Sequence, residues 1–136
     1  MRVFLDTNIL LDVLLDRVGL VDDSAAVILG CEQRGDTMIV AIHGLATAYY
    51  LLRRGRSEEE ALLEVDKILA WTRVATATDA DARRARGLGM PDFEDALQAV
   101  CAESAAADCI VTRNTADFRR CSIQVVTPDE FISRWP

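Results

Sequence analysis

The sequence predicts an α/β domain of three layers, α/β/α, with a mostly parallel central sheet of about five strands between the helices. Three observations carry this expectation. Short apolar runs such as Val3–Leu5, Met38–Ala41 and Cys109–Val111 read as strands buried on both faces. Longer segments between them place apolar residues at helical spacing. The two kinds of segment alternate without a linker, repeat or low-complexity stretch, so residues 1–136 are expected to form one domain.

Taken in order, the first strand ends at Asp6, and a helix follows from about Asn8 to Arg17, capped by Thr7 or Asn8. Val18-Gly19-Leu20 breaks it. Asp22 or Asp23 is the expected cap of a second helix, which Gly35 closes. A third helix runs from about His43 to Arg54 after the second strand. Ser57-Glu58-Glu59-Glu60 is a capping box that opens a fourth, with Ala61, Val65, Ile68 and Leu69 as its core stripe. Arg73–Thr76 is a weak third strand, and Asp79–Leu88 a fifth helix closed by Gly89. Asp92 starts a sixth helix, which runs to about Ala107. Ile123–Val126 is the fifth strand, and Thr127-Pro128-Asp129-Glu130 starts a last helix with proline at its first position.

Composition narrows the function classes. No apolar run approaches the roughly 20 residues of a membrane span, and the N-terminus lacks the pattern of a secretory signal. Cys31, Cys101, Cys109 and Cys121 form no C-x-x-C pair and His43 is the only histidine, which argues against zinc. Reduced cysteines in a cytoplasmic protein are the expectation. The net charge of −7 opposes unaided nucleic-acid binding. Yet fourteen of the fifteen basic residues are arginine, with groups at Arg53, Arg54 and Arg56, at Arg83, Arg84 and Arg86, and at Arg113, Arg119 and Arg120. Arginine suits phosphate.

Asp6 is the first candidate site residue, because open α/β sheets bind ligands at the C-terminal ends of their strands. Asp92 and Asp95 share a face at the start of the sixth helix, where Asp92 also serves as a cap, and Glu94 is expected to point elsewhere. Asn114 and Asp117 follow another strand end. Carboxylates gathered in one crevice need a cation between them, and an all-oxygen set favours Mg²⁺ or Mn²⁺. Such ions assist phosphoryl chemistry. Thr7, Asn8 and Thr112 are supporting candidates.

Three stretches, Phe4–Asp12, Asp92–Gln98 and Val111–Phe118, resemble in residues and order the PIN-domain family, which includes VapC-like toxins of toxin–antitoxin pairs. The resemblance spans essentially the whole chain. It implies a metal-dependent endoribonuclease, the toxin of a type II pair, with RNA as substrate, an antitoxin as partner, a homodimer, and no role at a membrane. By position it implies Asp6, Asp95 and Asp117 as catalytic carboxylates, and Asn114 and Asp92 as further metal contacts. Arg53, Arg54 and Arg113 are candidates for the RNA. Family members often carry a glutamate in the helix after the second strand. This chain has no acid from Ala41 to Arg56, and Thr47 takes that place. Asp92 or Glu94 is the expected compensation. The alternative is a weakly active or inactive module that binds RNA or protein.

His43 reads as structural. Asp12 and Asp16 read as surface residues or arginine partners, and Tyr49 and Tyr50 as packing residues. A phosphatase-like or receiver-like domain fits less well: Asp6-Thr7-Asn8 is not Asp-x-Asp, and there is no glycine-rich phosphate loop.

Overall fold

The strands are β1 (Arg2–Leu5), β2 (Thr37–Ala41), β3 (Thr72–Ala75), β4 (Cys109–Val111) and β5 (Gln124–Val126). The helices are α1 (Thr7–Leu14), α2 (Val21–Arg34), α3 (Ile42–Leu52), α4 (Glu58–Trp71), α5 (Asp79–Gly87), α6 (Phe93–Ser104) and α7 (Pro128–Arg134), with one 3-10 turn at Thr115–Phe118. The computed structural model describes residues 1–136. The sheet order is β3-β2-β1-β4-β5, and every neighbouring pair is parallel.

Alternation along the strands sorts the core into two layers. Val3, Leu5, Met38, Val40, Cys109, Val111 and Val126 face α1, α2, α3, α4 and α7. Phe4, Ile39, Ala41 and Ile110 face the other way, onto Ala99, Cys101 and Ala102 of α6 and Phe118 of the 3-10 turn. Each fully buried leucine, isoleucine or phenylalanine in these layers contributes about 1.5–3 kcal/mol. The chain builds outward from β1 in one direction through β2 and β3, then crosses over to β4 and β5. The order therefore reverses between β1 and β4, which makes the gap beyond their C-terminal ends the natural binding crevice.

Several boundaries differ from expectation for local reasons. Asp6, not Thr7 or Asn8, caps α1. That helix ends at Leu14 rather than Arg17, where Asp16 adopts a left-handed φ of 48°. α2 begins at Val21 behind Leu20, which offers no side-chain cap, so Asp22 and Asp23 lie in the first turn and meet the helix dipole there. α3 ends at Leu52 rather than Arg54, α5 at Gly87 ahead of Gly89, and α6 at Ser104 rather than about Ala107. Gly35 closes α2 at φ 72°, and the capping boxes at Ser57 and Thr127 both form.

Candidate metal centre

The crevice beyond β1 and β4 is built around Asp6, which is 4% exposed. Its backbone N–H continues the sheet onto the Val111 carbonyl. Its carboxylate is held by neutral donors. Oδ1 accepts from Gln98 Nε2 at 2.7 Å and, at 3.5 Å, from the Asn8 N–H. Oδ2 accepts from Thr112 Oγ1 at 2.6 Å and Asn8 Nδ2 at 2.7 Å. Thr112 in turn accepts from the Asn114 N–H at 3.0 Å, which ties the loop after β4 to Asp6. The expected supporting roles of Asn8 and Thr112 thus have a concrete geometry.

Gln98 is the residue that sequence reasoning passed over. It is completely buried on α6. Its Oε1 accepts from the Thr7 N–H at 3.1 Å and Thr7 Oγ1 at 3.3 Å, while Nε2 donates both to Asp6 and, at 3.2 Å, to Glu94 Oε2. One amide therefore sets the spacing between two carboxylates. The usable signal was a polar residue inside the apolar run Ala96–Ala102, four positions after Glu94.

Glu94 corrects a second expectation: it points into the site. Besides Gln98, its Oε1 lies 3.2 Å from His43 Nε2. His43 is thus the contact that α3 makes with this cluster. Thr47 turns away, donating to its own helix at the His43 carbonyl. Gly44 allows α3 this close, because a Cβ there would stand 2.8 Å from Thr7 Oγ1.

Asp92 both caps α6, accepting the Asp95 N–H at 3.0 Å, and joins Glu94 and Asp95 in a group whose ligand oxygens lie within 4.8 Å of one another. Burial and like charge act together on these carboxylates. Burial, then the hydrogen bond and charge of Glu94, then Asp6 and Asp92, push the Asp95 carboxyl up to about 7. Asp6 is also raised, by burial first and by Glu94 against the pull of its donors. The donor set is all oxygen and strongly anionic, and Asn8 Oδ1 is buried without a partner beside Asp6. Those properties fit a hard divalent cation.

The other candidates lie farther out. Asn114 precedes the 3-10 turn and Asp117 lies within it; both are exposed, and no hydrogen bond joins Asp117 to the Asp6 group. Arg113 is committed elsewhere: its Nε donates at 2.8 Å to Asp12, a buried residue and not a surface one, which also accepts from Ser24 Oγ. Arg53 and Arg54 stand at the far end of α3 from His43, roughly 15 Å along the helix. There Arg53 bonds the Arg56 carbonyl, and Arg54 lies over the exposed ring of Tyr50.

Comparison with known proteins agrees with the fold. The toxin–antitoxin complex VapBC2 of Rickettsia felis, solved on a promoter DNA fragment, includes a chain of the same fold: 18% identity, 93% of this chain and 98% of that one covered, TM-score 0.72. VapBC-1 of nontypeable Haemophilus influenzae gives 17%, 95% and 99%, at 0.72. A toxin–antitoxin complex of Klebsiella pneumoniae gives 20%, 93% and 97%, at 0.70. Among proteins of curated function, none matches by sequence. The sequence profile of the PIN domain matches residues 2–116, the span that carries Asp6, the α6 acids and Asn114 and stops one residue short of Asp117, and on that match the chain belongs to the PIN-domain family.

Proposed function

We propose that this protein is a divalent-metal-dependent endoribonuclease that hydrolyses RNA phosphodiester bonds, acting in the cytoplasm as the toxin of a type II toxin–antitoxin pair. The observation that carries the reading is Asp6. It is buried and fixed by neutral donors, and it faces the Asp92, Glu94 and Asp95 group across a single glutamine. Neutral donors hold a carboxylate in place without cancelling its charge, so the charge remains for a cation.

A bound Mg²⁺ or Mn²⁺ would supply a more acidic water and neutralise charge on the phosphate. Asp6, Asp95 and Glu94 would hold it, with Asp92 at the rim and Asn114 and Asp117 from the loop after β4. Thr112, Asn8 and Gln98 orient Asp6, and Thr7 anchors Gln98. In place of the glutamate absent from α3, Glu94 supplies a carboxylate from α6, steadied by His43. An antitoxin partner and a homodimer follow the same reading, supported by structural neighbours that are toxin–antitoxin complexes.

The direct test is incubation of purified protein with single-stranded RNA and Mg²⁺ or Mn²⁺, alongside Asp6→Asn. Cleavage by the wild type alone supports the reading, and its absence with both ions removes it. The second reading, a non-catalytic PIN module, is favoured by one observation: α3 brings no carboxylate to the site. Calorimetric titration with Mn²⁺ separates the two, since a module that binds no metal has no such chemistry.

A further inference from the structure

We infer that the crevice walled by Arg119 and Arg120 is a subsite for a backbone phosphate of single-stranded RNA, next to the bond that is cut. The inference rests on the nuclease reading above and names the part of the molecule that would take the strand. The crevice, of about 390 Å³, is lined by Gly89, Met90, Pro91, Ala116, Asp117 and the two arginines. Met90 and Pro91 lead directly into Asp92, the cap of α6, so the crevice opens beside the carboxylate cluster.

Its two cations are available, and Arg113 on the same stretch of chain is not. Arg120 makes no hydrogen bond or ion pair. Its guanidinium rests against the turn at Gly89, where φ is +69° and a Cβ would stand 3.3 Å from Nη1. That glycine provides both the left-handed turn and the space. Arg119 donates from Nε to the Ala116 carbonyl at 3.1 Å, which fixes its stem and leaves both Nη groups without a partner. Arg113, by contrast, is tied to the buried Asp12. Planar, always-charged donors of this kind bind phosphate in pairs of hydrogen bonds. Asp117 shares the crevice, and the two arginines also offset its charge for an incoming anion. A nucleic-acid strand suits this arrangement better than an acidic peptide. Its phosphates repeat along the backbone, so one at the cluster brings the next to the adjoining wall.

The test measures binding apart from cleavage. A fluorescent single-stranded RNA oligonucleotide is titrated with the full chain in EDTA over a salt series. We expect Arg119→Gln/Arg120→Gln to bind about tenfold more weakly and to lower the slope of log K against log salt by about 0.7, the share of one phosphate contact. The Arg119→Lys/Arg120→Lys variant keeps most of the slope, and near-ultraviolet circular dichroism confirms folding. Arg83→Gln, whose arginine pairs with Asp79 on the exposed face of α5, keeps wild-type affinity. Unchanged affinity and slope in the double variant overturn the inference, as does an equal loss in Arg83→Gln. If the wild type cuts and binds RNA while the double variant matches it, only the subsite falls. If the wild type binds no RNA in EDTA yet cuts it with Mg²⁺ or Mn²⁺, only the subsite falls; if it neither binds nor cuts, the subsite and the nuclease reading fall together. If the double variant loses a purified antitoxin but keeps RNA, the crevice belongs to the protein partner and the inference is overturned.

Discussion

Asp6 caps α1 and Asp12 lies within it, and both are withdrawn from solvent, at 4% and 0% exposure. Their partners differ in kind. Asp12 meets cations, with Arg113 Nε at 2.8 Å and Arg17 Nη1 at 3.5 Å, and Ser24 Oγ donates at 2.9 Å. Asp6 meets only amides and a hydroxyl, and the charged groups that act on it are further carboxylates. A buried charge that is already paired has finished its electrostatic work, and its loss is a loss of structure. A buried charge held by neutral donors among its own kind is stored in an unfavourable state that a cation relieves. The contrast separates a structural aspartate from the one proposed to hold the metal, six residues apart in the same chain.

The largest expected effect tests the functional end. Asp6→Asn should lower RNA cleavage on the order of 10³-fold, the rate equivalent of several kcal/mol of metal assistance. Its melting temperature without metal should fall only slightly, because the repulsive charge that has gone offsets the acceptor lost to the Asn8 amide. A large drop in stability would show that Asp6 is structural after all. Next, Asp12→Asn should destabilise by about 2–3 kcal/mol in urea denaturation, the lower side of the cost of breaking a buried pair, since both arginines keep solvent contact. Its Mn²⁺ affinity should stay near wild type. If the metal is lost and stability kept, the contrast is reversed.

A smaller change sharpens how Asp6 is held. Gln98→Met removes the amide that spans Asp6 and Glu94 at little cost in volume, and it should weaken Mn²⁺ binding by roughly 10-fold in calorimetry. Unchanged affinity would mean that Thr112 and Asn8 suffice.

The least expected shift is in pH dependence. Asp95 is raised from its ordinary 3.8 to about 7, so between those values, above the range where the lowered Asp36, Asp81 and Glu103 titrate, the folded metal-free protein holds a proton there that the unfolded chain has lost. Stability should therefore fall as pH rises through that window and level off above it. Thermal melts from pH 5 to pH 8 in EDTA check the sign. Added Mg²⁺ or Mn²⁺ should raise the melting temperature more at pH 8 than at pH 5, because binding displaces that proton. A metal-free protein that gains stability over the same range would contradict the crowding of carboxylates.

Much of this was legible in the residues. Apolar runs of strand length and helical stripes determined the alternation of elements, because local pattern and burial dictate secondary structure. The capping boxes at Ser57 and Thr127 and the glycine at 35 marked helix ends through rules that need only near neighbours. Asp6 at a strand end and the acids opening α6 were visible for the same reason, and so was the all-oxygen character of the site.

What the sequence could not hold was partnership across distance. The Gln98–Asp6 bond joins positions 92 apart, Thr112–Asp6 joins positions 106 apart, and Arg113–Asp12 joins positions 101 apart. No periodicity reports such pairs. Glu94 looked misdirected because helix geometry relates it only to its own helix, whereas α3 brings His43 to meet it. Arg113 looked free to take RNA for the same reason. Local chemistry thus determined which residue types stand at the strand ends and helix starts. The reversal of strand order between β1 and β4 decided which of them meet, because only the folded sheet brings the ends of distant strands into one crevice.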